Sequence, residues 1–339
     1  MAISLAARFR GCLVGSLIGD CLGAPFEFID PVSEKKLTNF FTDIFNGETD
    51  RIYPYTDDTA MALSVTKSII ENKRVCPTDL AKRFVNEYFT DPLTPSRSYG
   101  AHVQRVFMVL KETNFEDVFL PAARQFNGDG SYGNGAAMRI APVALFVHDK
   151  DEDSIKNAVK LCSFITHTHP DGLNGALLLC FAIHLALKLD PSKELDPMKF
   201  ISELEEKMKI IEKKGNTRYC DSLKKIRKCL ERQDDITPQE VATYLGNDEI
   251  ALKSVPTAIY SFLRALKPLP NYESTNPFVC TIYFAISVGF DTDTIATMAG
   301  AIAGAYYGED MIPNIIKRRC DKIDEVEKLA DDLLKVSQA

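Results

Sequence analysis

The sequence predicts an all-α protein, and three features of its 339 residues lead to that fold class. Apolar residues recur at three- and four-residue spacing, as on one face of an α-helix, in nine segments: residues 59–72, 77–88, 99–111, 153–165, 173–189, 196–213, 221–230, 249–266 and 326–336. Two helix starts carry proline in the first turn, at Pro77 and Pro238. Period-two alternation is nearly absent, and residues 143–147 are the best candidate for a strand.

Length and composition predict a single domain. With 45% apolar and 26% charged residues, the chain can form one large core or two modest ones. It contains no fixed-period repeat and no low-complexity tract. We therefore predict one compact domain over residues 1–339, with C-terminal helices that extend to residue 337.

Charge and cysteine content narrow the function and the location. The net charge is −7, whereas general nucleic-acid binders carry a basic surface, so we expect no direct DNA binding. Nine cysteines without CxxC pairing indicate reduced thiols, and we expect a monomer in the cytoplasm and nucleus. The mitochondrial matrix is the alternative, because residues 1–10 lack acids and carry two arginines. Asp291 and Asp293 divide the longest apolar stretch, residues 281–308, so we expect no membrane span.

Two short turns combine aspartates with threonines immediately before apolar helices. They are Thr56-Asp57-Asp58-Thr59, before residues 60–70, and Asp291-Thr292-Asp293-Thr294, before residues 295–307. Either turn alone fits an N-cap whose acids complement the helix dipole. Both helices are apolar enough to be buried, however, and four carboxylates at the rim of a core are costly unless a cation binds them. Because the ligands offer only oxygen, they favour magnesium, manganese or calcium over zinc.

A glycine-rich segment, residues 128–135, precedes a further predicted helix at residues 136–145. Four glycines in eight residues let backbone amides approach a ligand, and a helix start favours anions. The segment satisfies GxGxxG, but no strand precedes it and no βαβ alternation follows, which excludes a dinucleotide-binding fold. Phe126 and Tyr132 flank the loop, where they either stack on a base or belong to the core.

Four other polar residues have competing interpretations. His167 and His169 lie two apart in a turn that contains no cysteine and no third histidine. We expect the His169 ring to find a hydrogen-bond partner at a helix end. The role of His167 is left open. Asp20 and Glu27 can be read as a helix-end acid and a loop acid without a further role.

Five segments together resemble the ADP-ribosylhydrolase family, also called the dinitrogenase reductase-activating glycohydrolase superfamily. In family order they are FRGCLVGSLIGDCLG, YTDDTAMA, QFNGDGSYGNGAAMRIAP, SVPTAIYSFLR and DTDTIATMAGAIAGAYYG, spread over residues 9–308. Each segment alone is weak support for this family, but the five together are specific to it. The chain is most similar to the type-3 members, which remove ADP-ribose from serine, trim poly(ADP-ribose) and hydrolyse O-acetyl-ADP-ribose.

The resemblance implies an orthogonal helical bundle around a binuclear magnesium site. It implies six metal ligands: Thr56, Asp57, Asp58, Asp291, Asp293 and Thr294. It also implies that substrate is bound by Phe126, Gly130, Ser131, Tyr132, Gly133, Asn134 and His167. Glu27 matches a glutamate on a mobile loop that gates the site or assists proton transfer. Glu27, Asp58 and Asp293 are therefore the catalytic candidates.

The activity that the resemblance implies is magnesium-dependent cleavage of O-linked ADP-ribose, as part of the DNA damage response. ADP-ribosyl-arginine hydrolysis is an alternative, because residues 166–175 (THTHPDGLNG) are equally similar to arginine-specific relatives. The motifs also leave open a non-catalytic ADP-ribose-binding or structural relative, and a phosphohydrolase that releases AMP. The chain departs from the family at Phe290, where relatives commonly have the second of two glycines. A positive φ there would strain phenylalanine.

Overall fold

The computed structural model describes residues 3–212, 217–232, 235–270 and 272–338. Nine α-helices form the first half: α1 Leu5–Gly23, α2 Glu34–Asn46, α3 Asp57–Asn72, α4 Pro77–Thr90, α5 Ala101–Glu112, α6 Leu120–Ala123, α7 Gly135–Met138, α8 Ala141–Phe146 and α9 Glu152–Ser163. Nine follow: α10 Pro170–Lys188, α11 Pro197–Ile211, α12 Arg218–Glu231, α13 Pro238–Leu245, α14 Ala251–Arg264, α15 Pro277–Ser287, α16 Thr292–Tyr307, α17 Asn314–Lys317 and α18 Ile323–Ser337. These described residues contain no β-strand, which confirms the all-α prediction.

Each of the nine predicted segments forms a helix, with ends that shift by a few residues. The predicted end at Lys213 lies outside the described residues. At the start of α13, Thr237 and Glu240 form a reciprocal capping box, as the Thr-Pro-x-Glu pattern suggests. The sequence thus places these nine helices well, because each carries a strong apolar period.

The strand prediction for residues 143–147 is wrong, because that segment lies mainly in helix α8. Pro142 occupies the first turn of this helix, where its missing N–H costs nothing. Val143 and Leu145 are fully buried, so tertiary packing overrides the β propensity of the valines. The single helix predicted at residues 136–145 is also wrong: it is divided into α7 and α8 around Arg139 and Ile140.

Glycines allow α1 and α16 to pack with their backbones in contact at the centre of the fold. Gly15 and Gly300 are so close that a Cβ on Gly15 would lie 2.3 Å from the Gly300 carbonyl oxygen. Gly11 meets Gly304 near the start of α1, and Gly23 meets Asp293 at its end, so the helices run antiparallel. This pairing brings the end of α1 to the start of α16.

We expect Gly15→Ala to destabilise the protein by about 2 kcal/mol, because the added methyl group must push two packed backbones apart. Intrinsic helix propensity alone predicts the opposite, a gain of about 1 kcal/mol. Gly100→Ala is the matched control, since nothing lies within 4 Å of that position, and it should change stability by less than about 1 kcal/mol. Urea unfolding of both variants measures the difference. A stabilised Gly15→Ala protein would contradict the packing argument.

Helix α10 is the only described helix that is long and apolar enough to cross a membrane. However, 72% of its apolar window is already buried inside the protein, where it packs against α7, α8, α14 and α16. Its apolar surface is therefore used by the core. All nine cysteines are free, and Cys76 is the only one that is not buried.

Candidate metal centre and substrate cavity

Three buried aspartates from different helices meet at one point. Asp20 comes from the end of α1, Asp58 from the first turn of α3 and Asp293 from the first turn of α16. Each offers a carboxylate oxygen within 4.8 Å of the oxygens of the other two. Burial and the neighbouring carboxylates raise the pKa values of Asp58 and Asp293 well above their usual range. A divalent cation would remove this repulsion.

Asp20 holds the first acid turn in place. Its carboxylate accepts hydrogen bonds from the backbone N–H groups of Thr56, at 2.9 Å, and Thr59, at 3.0 Å. Thr56 occupies the N-cap position but makes no capping hydrogen bond with its own side chain. An aspartate on α1 therefore caps α3, and the interpretation of Asp20 as an isolated helix-end acid is wrong. A buried carboxylate inside an apolar helix was the sequence signal for this role.

Asp58 has an oxygen that the described residues leave unsatisfied. Its Oδ2 accepts hydrogen bonds from the hydroxyls of Thr56 and Thr294, at 3.2 and 3.3 Å. Its Oδ1 is buried and has no hydrogen-bond partner. Asp293 Oδ1 accepts a hydrogen bond from the Thr294 N–H at 2.8 Å. Of the six predicted ligands, Thr56, Asp58, Asp293 and Thr294 thus lie together, and their oxygen atoms fit a hard divalent cation.

The other aspartate of each turn faces a cavity next to this cluster. Asp57 and Asp291 both line the cavity, and burial raises the pKa of Asp291 to about 7. The amide of Asn134 donates a hydrogen bond to Asp291 Oδ2. Burial, together with Asp20 and Glu27, raises the pKa of Asp57 well above its usual range. The acid cluster and the cavity therefore form one site.

The glycine-rich loop also lines the cavity, and it meets the acid cluster where Asn134 contacts Asp291. Gly130 has a φ of 77°, and a Cβ there would lie 2.0 Å from Thr168 Oγ1. The loop is fixed by backbone hydrogen bonds from Asn134 to Glu249 and from Ala251 to Tyr132, at 2.9 and 3.1 Å. Of the predicted substrate residues, six line the cavity directly: Phe126, Ser131, Tyr132, Gly133, Asn134 and His167. Gly130 instead shapes the turn.

Aromatic rings flank one side of this cavity of about 490 Å³. The ring centroids of Phe126 and Tyr132 are 5.2 Å apart, at an interplanar angle of 41°. The ring of His102 also lies against Phe126, with centroids 4.3 Å apart. Sequence inspection missed His102, because nothing near it in the chain marks it as a site residue. Phe126 has a φ of 49°, an uncommon conformation that aims its ring at the cavity.

The two histidines of the Thr-His-Thr-His turn have different surroundings. His169 is the N-cap of α10, and its Nδ1 accepts a hydrogen bond from the Asp171 N–H at 3.1 Å. The prediction of a satisfied helix-end histidine is confirmed. His167 is buried and lines the cavity beside the glycine-rich loop. Burial and the Arg139 charge lower the pKa of His167 to about 3, so its ring stays neutral.

Comparison with known proteins assigns the family. The ADP-ribosylglycohydrolase family model matches residues 1–339. The chain is 41% identical over 350 residues to ADP-ribosylhydrolase ARH3 of Homo sapiens, covering 98% of this chain and 94% of that protein. The chain belongs to the ADP-ribosylglycohydrolase family. It is also 44% identical over 322 residues to ADP-ribosylhydrolase ARH3 of Xenopus tropicalis, covering 91% and 89% of the two chains.

A solved structure supports the fold of this ADP-ribosylglycohydrolase family member. That chain, titled "ADP-ribosylglycohydrolase-related protein complex", superposes with a TM-score of 0.66 over 98% of both chains. At 21% identity, this likeness shows the fold alone. Family membership and the ARH3 relatives together make the chain an ADP-ribosylhydrolase, a glycosyl hydrolase that acts on ADP-ribosylated substrates. The recognition made from sequence motifs is confirmed.

In this ADP-ribosylglycohydrolase, Glu27 lines the cavity from the turn that follows α1. Its carboxylate is half-buried and accepts a hydrogen bond from the Ser98 hydroxyl at 3.3 Å. Burial is the main cause that raises the pKa of Glu27, and the nearby Asp20 and Glu249 add to it. Its raised pKa and its place in the cavity lining make Glu27 a candidate for proton transfer.

Phe290 has a φ of 61°, so the positive φ expected at this position is present. Its backbone is tied to the Glu27 turn by two hydrogen bonds, from the Phe28 N–H at 2.7 Å and to the Ile29 carbonyl at 3.0 Å. The rings of Phe28 and Phe290 meet edge to face, 5.7 Å apart. The aromatic contact offsets part of the backbone strain that phenylalanine brings.

We expect Phe290→Gly to be more stable than Phe290→Ala by about 1 kcal/mol, because only glycine adopts a positive φ without strain. Both variants lose the ring contact with Phe28, so their difference isolates the backbone. Urea unfolding at constant magnesium measures it. Equal stabilities would show that the conformation at residue 290 is not strained. A large gain in turnover in Phe290→Gly would show that phenylalanine impairs the enzyme.

Proposed function

We propose that the protein is a magnesium-dependent hydrolase that releases ADP-ribose from O-linked acceptors. The acceptors are serine in modified proteins, ribose in poly(ADP-ribose) and the acetyl group in O-acetyl-ADP-ribose. The observation that carries the proposal is Asp58 Oδ1, which finds no hydrogen-bond partner among the described residues and lies in a carboxylate cluster next to the cavity of the glycine-rich loop. One side of the site suits a cation, and the other suits a diphosphate and a base.

We propose that two Mg²⁺ ions bind at this cluster. The residues that would hold them are Thr56, Asp57, Asp58, Asp291, Asp293 and Thr294. Asp20 supports them as a positioning residue, because its oxygens already accept hydrogen bonds from the backbone of the first acid turn. Bound magnesium supplies positive charge that orients ribose hydroxyls and polarises water.

Cleavage of the glycosidic bond passes through an oxocarbenium-like state at the anomeric carbon of the distal ribose. In this proposal, backbone amides of the glycine-rich loop bind the diphosphate, and the rings of Phe126 and Tyr132 bind the adenine. This arrangement directs the distal ribose toward Asp291 and Asp293, which line the same cavity. Glu27, in the cavity lining, moves a proton between water and the acceptor oxygen.

We also propose that the protein is a monomer, that it acts in the cytoplasm and nucleus, and that it recognises its substrate by binding the ADP-ribose group. The net charge of −7 argues against recruitment by DNA. Free and mostly buried cysteines suit a reducing compartment. Fractionation of cells and size-exclusion chromatography test these two points.

Incubation with a serine-ADP-ribosylated peptide and magnesium, followed by mass spectrometry, tests the activity. We expect unmodified peptide and free ADP-ribose, and little product from the matching arginine-linked peptide. Release of AMP would instead show a phosphohydrolase. Preferential cleavage of the arginine linkage would overturn the acceptor assignment. An intact serine peptide, in the presence of measurable ADP-ribose binding, would show that this chain does not act on serine linkages.

A further inference from the structure

Arg139 is a fully buried cation whose hydrogen bonds all go to neutral oxygens. Its terminal nitrogens donate to the carbonyls of Gly135 and Cys162, at 2.6 and 3.0 Å, and to Thr166 Oγ1 at 2.7 Å. Its guanidinium carbon lies 5.1 Å from the ring centre of Phe84. Burying a charge without a carboxylate partner is costly. Arg139 also belongs to the lining of the cavity, as do Thr166 and His167, which indicates a role beyond stability.

Thr166 connects Arg139 to His167. Its hydroxyl oxygen lies 2.7 Å from His167 Nδ1, and it has no third partner in the described part of the chain. A guanidinium can only donate, so Thr166 Oγ1 accepts from Arg139. If Nδ1–H also donated to that oxygen, the hydroxyl hydrogen of Thr166 would be buried without an acceptor. The satisfied arrangement has the Thr166 hydroxyl donating to an unprotonated Nδ1.

The other ring nitrogen of His167 points at the glycine-rich loop. A Cβ on Gly133 or Gly135 would lie 3.3 or 3.1 Å from His167 Nε2. This nitrogen has no hydrogen-bond partner among the described residues, although the histidine lines the cavity. In a neutral imidazole with an unprotonated Nδ1, Nε2 carries the proton. An N–H donor without a partner among the described residues therefore lies beside the glycine-rich loop that lines the cavity.

We propose that Arg139 and Thr166 are positioning residues that fix His167 as the neutral Nε2–H tautomer. The ring then serves as a permanent hydrogen-bond donor to an oxygen of the bound ADP-ribose. This inference rests on the proposed function in one respect, namely that the cavity holds ADP-ribose. The orientation of His167 also explains the glycines at positions 133 and 135, since a side chain at either position would crowd Nε2.

A donor fixed in this way differs from an ordinary histidine. A free imidazole exchanges tautomers and gains a second proton near pH 6.5. In His167, burial and, secondarily, the Arg139 charge lower the pKa and so oppose protonation of the ring. The donor is thus available throughout the neutral range without a net charge. In a protein with a net charge of −7, it offers the ligand a directed positive dipole that salt screens weakly.

Long-range ¹H–¹⁵N NMR of the full-length protein tests the tautomer directly, because only five histidines must be assigned. We expect wild-type His167 to show the Nε2–H pattern, unchanged between pH 5.5 and 8. Thr166→Ser keeps the hydroxyl and should preserve this pattern. Thr166→Val removes it and should populate the Nδ1–H form. An Nδ1–H or a charged ring in the wild-type protein would overturn the proposal, whether or not Thr166→Val folds.

Calorimetric titration with ADP-ribose tests the use of the donor without requiring turnover. We expect Thr166→Val to raise the Kd about five- to tenfold, the equivalent of one hydrogen bond, and Thr166→Ser to leave it near the wild-type value. Gly135→Ala provides an independent test, because its methyl group would lie 2.8 Å from His167 Cε1 and displace the ring. Unchanged affinity in both Thr166→Val and Gly135→Ala would overturn the donor role. If the wild-type protein binds ADP-ribose but does not cleave the serine peptide, that result would contradict only the proposed reaction.

Discussion

Asp58→Asn should lower turnover by about 10³-fold and leave the helical fold intact. Asp58 is buried between two other aspartates, and one of its oxygens has no hydrogen-bond partner in the described part of the chain. Asparagine keeps the shape of the side chain but removes the charge that a divalent cation requires. The expected loss is comparable with that of removing a group that stabilises charge in a transition state.

The same substitution should stabilise the metal-free protein by about 1 kcal/mol, because it removes a buried carboxylate whose pKa is raised well above its usual range. Magnesium should raise the unfolding temperature of the wild type but not of the variant. Asp153→Asn is the matched control. Asp153 is also the second residue of its helix, but its side chain is 94% exposed. A magnesium-dependent shift that persists in Asp58→Asn would show that Asp58 is not a ligand.

The metal-free protein should also lose stability as the pH rises. The pKa of Asp291 is raised to about 7 in the folded state, against about 4 in the unfolded chain. The folded state therefore binds more protons between these values, so the contribution of Asp291 to stability is fully present below about pH 4 and is lost as the pH rises through about 7. Thermal unfolding in EDTA across this range measures the decline. Magnesium should reverse it at pH 7, since the cation replaces the protons.

Glu27→Gln should lower kcat by about 10² to 10⁴-fold, the usual contribution of a positioned acid or base. The Kd for ADP-ribose should change little, because proton transfer acts on the transition state. Glutamine keeps the length of the side chain and an oxygen that can accept the Ser98 hydrogen bond. Single-turnover kinetics with the serine-linked peptide, together with calorimetric ADP-ribose binding, separate the two effects.

Ser98→Ala supplies the control for this role. The Ser98 hydroxyl lowers the pKa of Glu27, so its removal should raise that pKa further. If Glu27 acts as a base, the acidic limb of the pH–rate profile moves to higher pH; if it acts as an acid, the alkaline limb does. A profile in which neither limb moves, with normal kcat in Glu27→Gln, would assign Glu27 to the gate alone.

Local sequence signals predicted the nine helices with a clear apolar period, and they also marked the two acid turns and the glycine-rich loop of the site. The two acid turns and the glycine-rich loop were visible because their residue types contradict their apolar surroundings. The same contrast was present at Asp20, inside an otherwise apolar helix, but its partners Thr56 and Thr59 lie more than thirty residues away. Residues 143–147 were mistaken for a strand because β-branched side chains favour strands. In the fold, burial of this segment in the helical core overrides that preference.

The sequence by itself determined that this chain is helical, that it carries clustered acids that could hold a hard cation, and to which family it belongs. Those properties depend on residue type and short spacing, which the chain carries locally. Only the tertiary structure decided that Asp20 caps a helix other than its own, that His102 lies on Phe126, and that Arg139 and Thr166 lie behind His167. Such pairings depend on how the helices pack, because a hydrogen bond needs atoms within about 3 Å, and spacing along the chain does not set that distance.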